Sequence, residues 1–481
     1  MRLSVLLLAF LLLISVSLPA WAQHEMYQMP KQPATSPTDT VHAAQPAQHQ
    51  HMPGMDMSTM DMSGDTTMQH SDHGDMNMSH AYSRNLPMSR NGSGTAWQPD
   101  ATPMYMWMQH KGPWMLMYHG AVFGRYTNQN IGRENGQRGG RTFDAPNWFM
   151  TMAQRNVGQR GLLNLTAMIS LDPLTEGANG YPLLFQSGEA YKGKPLVDRQ
   201  HPHDLFSALS IGYTHALSKD LDLSLYLGYP GEPAVGPTAF MHRLSAMPNP
   251  DAPLGHHWVD ATHITFGVAT FGVRYKQFKL EGSNFTGREP DEHRYNFDRP
   301  RANSWASRLL WNPSEELSLE VGRAYVKSPE QLRPDEDVTR TTAAVLHSRT
   351  WGAYHFVASS LIWGLNKSDH GKEHSVLAET NLTLGRPTFY GRYEFVQKDA
   401  EELAIPHDQT EPTYNIHALT LGANYRLAQL GQNGPELHIG AQGSVYRPDN
   451  QIRSYYGKTP VSAEVYLRLN APFMSMGKMK M

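Results

Sequence analysis

From Pro103 to Ala471 apolar and polar residues alternate over short stretches, the period-two signature of strands whose two faces meet different surroundings. In "VSAEVYLRLN", Val461, Ala463, Val465, Leu467 and Leu469 point one way, while Ser462, Glu464, Tyr466, Arg468 and Asn470 point the other. "LDLSLYLGY" divides likewise, with Leu221, Leu223, Leu225 and Leu227 against Asp222, Ser224 and Tyr226. In "VLAETNLTLG", Val376, Ala378, Leu382 and Leu384 oppose Glu379, Asn381 and Thr383. The pattern predicts about sixteen strands between residues 115 and 471.

The connections sort by parity. The first, third and fifth are long ("TNQNIGRENGQRGGRTFDAP", then Asp172 to Pro202, then Pro230 to Thr262), whereas the second, fourth and sixth are tight turns such as "NVGQ" and "SKD". An up-and-down barrel gives this alternation, with short turns on one side of a membrane and long loops on the other. A soluble Greek-key sandwich has no reason to do so. The polar face also carries Glu281, Arg308, Glu320, Glu379, Arg392, Glu394, Arg426, Glu464 and Arg468. Such charges are costly in a dry sandwich core but can pair and stay solvated in a barrel lumen. The expected fold is therefore all-β, a transmembrane up-and-down antiparallel β-barrel of about 16 strands.

The ends differ from the strand region. Residues 1–22, with Arg2, an apolar run from Leu3 to Leu18 and Ala20-Trp21-Ala22, read as a cleaved secretory signal. Residues 23–102 are rich in Met, His, Ser, Asp, Pro and Gln and poor in aliphatics, so they are expected to be disordered. Residues 103–471 form the barrel and 472–481 a C-terminal tail. In its signal, loop parity and two-faced strands the chain resembles Gram-negative outer-membrane β-barrels. Those usually end on an aromatic residue closing the last strand; here Phe473 follows Leu469 in "NAPFMSMGKMKM". The resemblance implies the outer membrane, with lipid as surroundings and the N-terminal segment in the periplasm. A net charge of -3 provides no basic footprint for nucleic acid, and the chain has 0 cysteines.

The stretch His51 to His80 is where the first candidate chemistry lies. Its methionines, Met52, Met55, Met57, Met60, Met62, Met68, Met76 and Met78, are soft neutral ligands suited to Cu(I) or Ag(I). His70, His73 and His80 are imidazoles suited to Cu(II) or zinc, and the divalent affinity order peaks at copper. Spacings of two or three residues let a flexible backbone bring three sulfurs round one ion. The stretch and the architecture together resemble the copper-resistance protein B family of the outer membrane. That resemblance implies copper binding, export or tolerance, with silver or zinc as alternative ions and periplasmic copper proteins as partners.

A second constellation lies in the long loops: "DRQHPHDL" with His201 and His203, "FMHR" with His242, and "GHHWVDATHI" with His256, His257, Asp260 and His263. Imidazoles with a carboxylate make a transition-metal set if they converge; otherwise they hydrogen-bond loop backbone. "MYMWMQH", just before the first strand, either continues the methionine series towards the barrel or anchors at the membrane interface. No chemical reaction is expected. Two other readings stay open: a general solute porin with a metal-buffering tail, and a barrel hydrolase built on Ser207 near His203. Neither direction of transport nor oligomeric state follows from the chain.

Overall fold

The computed structural model describes residues 79–408 and 412–474. The expected signal, the ligands Met52 to Met78 and most of the C-terminal tail lie outside the described residues.

Sixteen antiparallel strands close into one barrel. In chain order they are β1 (Trp114–Gln129), β2 (Asn147–Val157), β3 (Gly161–Ile169), β4 (Phe206–Ala216), β5 (Leu221–Gly228), β6 (Val268–Tyr275), β7 (Phe278–Phe285) and β8 (Ser304–Ser314). The second half runs β9 (Leu317–Lys327), β10 (Asp337–Gly352), β11 (His355–Lys367), β12 (Lys372–Leu384), β13 (Pro387–Asp399), β14 (Thr413–Gln429), β15 (Glu436–Pro448) and β16 (Val461–Asn470). Each strand pairs with the next, and β16 returns to β1 in a register from Ala463 opposite Asn128 to Asn470 opposite Ala121. The expected strand number and loop parity are both present.

The alternation sets the two faces. Leu225, Leu280, Val321, Leu361, Leu421 and Val465 point outward, uncovered by protein, with Tyr275, Phe278, Trp305, Trp311 and Phe389 among them. A continuous apolar exterior of this kind faces lipid. No helix among the described residues is long and apolar enough to cross a membrane. The alternate residues, Glu281, Arg308, Glu320, Glu379, Arg392, Glu394, Glu464 and Arg468, are buried inside.

The lumen is filled by the chain itself. The β3–β4 and β5–β6 loops fold inward, and their Leu184, Phe185, Trp258 and Val259 pack with the wall residues Ile362, Leu377 and Ile416. Burying a large apolar side chain is worth roughly 1.5–3 kcal/mol, which helps to offset ordering such long loops. Charged residues of the loops meet charges of the wall. Arg243 Nε donates to Glu379 at 2.6 Å, and Arg392 Nε donates to the other oxygen of the same carboxylate at 3.1 Å.

The expectation of disorder up to Thr102 is corrected for residues 79–102, which lie packed inside the barrel. Tyr82, Leu86, Met88 and Trp97 are buried there. Ser83 Oγ donates to Asp222 at 2.5 Å, Lys279 Nζ donates to the Thr95 carbonyl at 2.5 Å, and Arg308 Nη2 donates to Thr95 Oγ1 at 2.9 Å. A segment too poor in aliphatics to build a core of its own is ordered by a polar wall that supplies its partners. Phe473 is likewise not the last residue of a wall strand. β16 ends at Asn470, and Phe473 pairs with Tyr105 and stacks on Tyr354, ring centroids 4.3 Å apart.

Candidate functional site

Two inward-folded loops bring five histidines together. His201 and His203 follow a short pairing of Arg199–Gln200 with Tyr181–Pro182 in the β3–β4 loop. His256 and His257 begin the one-turn helix α1 (His256–Val259) of the β5–β6 loop, and His263 follows seven residues after His256. Neighbouring ring centroids lie 5.6 Å apart for His201 and His257, 5.2 Å for His256 and His257, 5.1 Å for His256 and His263, and 5.5 Å for His203 and His263. His201, His256 and His257 each offer a ring nitrogen within 4.8 Å of the others. Phe240 closes one side, its ring 5.4 Å from His256.

How the nitrogens are used decides what the cluster can do. His203 Nδ1 lies 2.7 Å from Asp172 Oδ2, His256 Nδ1 2.6 Å from Asp260 Oδ1, His257 Nδ1 3.3 Å from Glu289 Oε1, and His263 Nδ1 2.7 Å from the Asp260 carbonyl. Each partner is an acceptor, so the proton of a neutral ring sits on Nδ1 and the lone pair on Nε2. The Nε2 atoms of His203, His256, His257 and His263 are all buried without a hydrogen-bond partner. A buried polar atom left unpaired is costly, and four in one place form a set of unused lone pairs. His201 differs, with its Nε2 3.2 Å from Glu189 Oε1.

The electrostatics favour neutral rings. Burial, and then the neighbouring His257, Arg294 and His256, hold His201 well below the usual imidazole value. Burial likewise lowers His263, followed by His256 and His203, and lowers His256 against the opposing pull of Asp260. Burial alone would raise the Asp260 carboxyl, but His256 and Arg243 outweigh it and keep it ionised. Deprotonated imidazoles backed by carboxylates are what a transition metal requires of its ligands and of the groups behind them. The site is also shaped to leave room: a Cβ added to Gly188, whose φ is +127°, would fall 2.3 Å from His257 Nε2.

Of the ligands expected from sequence, His201, His203, His256, His257 and His263 converge, with Asp260 behind them. His242 does not join them; it lies in a neighbouring cavity against Trp148, ring centroids 4.6 Å apart, and burial, then His119, push it down to about 3. His80 is packed in the segment that fills the lumen, where its Nδ1 accepts the Tyr82 N–H at 3.0 Å. Ser207 donates to the Asp204 carbonyl at 3.0 Å, so its proton goes to backbone and not to an imidazole. Sequence reasoning missed Asp172, Glu189 and Glu289, which sit far along the chain from the rings they touch, and Gly188. The one signal available for Asp172, Glu189 and Gly188 was their position in the β3–β4 loop with His201 and His203, and Glu289, in the β7–β8 loop, had none.

No family model matches the chain, and neither does any curated protein. The expected resemblance to the copper-resistance protein B family therefore rests on the Met/His stretch and the architecture alone. Among solved structures the chain is similar to an anion-selective porin from Comamonas acidovorans, at 10% identity, with 74% of this chain and 99% of that one covered and a TM-score of 0.47. It is also similar to OmpF of Salmonella typhi in complex with daunomycin, at 8% identity, with 76% and 100% covered and a TM-score of 0.47. OmpT, an outer membrane protein of Vibrio cholerae, matches at 8% identity, with 76% and 99% covered and a TM-score of 0.42. None of these likenesses carries function.

Proposed function

We propose that the protein is an outer-membrane barrel for transition-metal handling, copper first and silver or zinc as alternatives, whose folded loops hold an ion among His201, His256 and His257. The observation that carries this reading is the convergence of three buried imidazoles, two of which, His256 and His257, have their Nδ1 sides tied to acceptors and their Nε2 lone pairs unused, while His201 meets Glu189 through Nε2. His203 and His263 extend the set by the same pattern. In this reading the Met/His-rich segment gathers Cu(I) and Cu(II) in the periplasm and the loop centre binds one ion more tightly, with no catalytic step. Periplasmic copper proteins are the matching partners.

The test is a Cu(II) and Zn(II) titration of the full-length protein against the variant His201→Ala/His256→Ala/His257→Ala. The expected outcome is the loss of one tight equivalent, with the weaker uptake by the N-terminal segment retained. Equal tight stoichiometry in both proteins overturns the reading.

A general solute porin is the second reading. What favours it is size: barrels of sixteen strands are wide enough for an aqueous channel, and this wall is lined with charge. Against it stands the filling of the lumen by two loops and by residues 79–102. A large, steady conductance in planar bilayers, unchanged by Cu(II), supports the porin; a closed barrel supports the metal centre.

A further inference from the structure

On the wall beside the histidine cluster, the lumen face of β1 to β3 is built from methionine. Met117 of β1 stands directly opposite Met152 of β2, and His119 stands opposite Met150, which in turn faces Met168 of β3. Opposed residues on one face of a sheet have Cβ atoms about 4.5–5.5 Å apart, so these thioethers and the imidazole share one surface. Met117, Met152 and Met168 are buried.

This surface lines a cavity of about 140 Å³. Met104 and Met106, from the segment preceding β1, close one side, and Met241 and Met247, from the β5–β6 loop, close the other. Leu244 is the one branched aliphatic residue in the lining, against seven methionines. Apolar packing alone asks for Leu, Ile and Val as readily as for Met. The cavity also receives His119, His242, His201 and His203, and the Nε2 atoms of His119 and His203 are buried and unpartnered.

We propose that this methionine-lined cavity is a second metal site, selective for a soft monovalent cation, Cu(I) or Ag(I), and distinct from the histidine centre beside it. Neutral thioethers dominate this lining, which also holds Asp172 and Glu176, and they suit a soft monovalent ion, whereas the imidazoles of the neighbouring centre suit a divalent one. His119 and His242 supply nitrogen beside the sulfurs, and His201 and His203, at the border, belong to both spaces. The inference goes beyond the function proposed above and stands separately from it, because it rests on the thioethers.

The test is the methionine methyl carbon-13 spectrum of the full-length protein in micelles, titrated with Ag(I). Single exchanges Met117→Leu, Met150→Leu and Met152→Leu, which conserve volume and are well tolerated, assign the signals. The expected result is that the Met117, Met150 and Met152 signals move with Ag(I), and move equally in His201→Ala/His256→Ala/His257→Ala. If Ag(I) shifts other methionines and leaves these three unmoved, the methionines are packing only and the proposal fails. If their shift vanishes in the triple histidine variant, the response comes from the histidine centre and a second site is overturned. Loss of tight Cu(II) uptake in that variant reports on the histidine centre alone, so the two readings fail by different results.

Discussion

Two buried polar clusters lie inside this barrel, and they differ in how completely their hydrogen bonds are spent. Around Arg125, the Nε atom donates to Asp144 at 2.7 Å, while Nη1 donates to Asp251 at 2.6 Å and to Glu464 at 3.2 Å. Thr127 and Gln442 complete the carboxylates, donating to Glu464 at 2.7 Å and to Asp251 at 2.9 Å. This knot ties β1, β16 and the β5–β6 loop together. Around the histidines the carboxylates are just as buried, but four ring nitrogens have no partner. A satisfied cluster braces; an unsatisfied one, held in place by satisfied neighbours, has lone pairs to give.

The sharpest way to break the contrast is Arg125→Met. Removing one partner of a buried ionic cluster costs about 3–5 kcal/mol, here by leaving three carboxylates without their cation. The expected outcome is an early urea midpoint for the folded barrel, read by the heat-dependent gel shift, with the number of tight metal equivalents unchanged. Asp260→Asn attacks the other cluster. It loosens the support behind His256, and such changes lower metal affinity by about 10–100-fold. Competition titration with a chelating dye reads the loss, while the urea midpoint moves far less than for Arg125→Met.

Gly188→Ala pushes a methyl against His257 Nε2 without altering any charge. Weakened metal uptake at an unaltered ion-pair knot is expected, and tight uptake equal to wild type would show that His257 gives no lone pair to the ion.

Acid acts on the same rings without any substitution. His201, His256 and His263 are held below the usual value of 6.5 by burial. Their neutral rings contribute fully above that pH. As pH falls below it the unfolded chain takes up protons that the folded loops refuse, at about 1.4 kcal/mol per unit and group. Limited proteolysis of the β5–β6 loop should therefore accelerate between neutral pH and pH 5 in the metal-free protein, and less so in the triple histidine variant, which keeps His263.

The wall was legible in the sequence because each strand carries its own orientation. Val461 to Asn470 alternate outward and inward as their side chains require, and the parity of loop lengths fixed the up-and-down order. The contents of the lumen were much less legible. Residues 79–102 look like a solvated linker because their partners, Asp222, Lys279 and Arg308, belong to distant strands. The histidines were visible as ligand types, but spacing along a loop does not tell which rings converge. His242 and His256 share a loop and lie in different spaces. Met115, Met117 and His119 share a face by simple alternation, as do Met150 and Met152; their meeting across β1 and β2 depends on register, which only the pairing reveals.

The seam has a consequence for assembly. It joins residues 121–128 to residues 463–470, so the wall stays open until nearly the whole chain is present. The segments named above as filling the lumen lie in the first part of that sequence: residues 79–102, then the β3–β4 and β5–β6 loops. The contents are thus synthesised before their container can shut. Closure of such a distant pairing is slow compared with local hairpin formation, and this delay gives the loops time to settle inside.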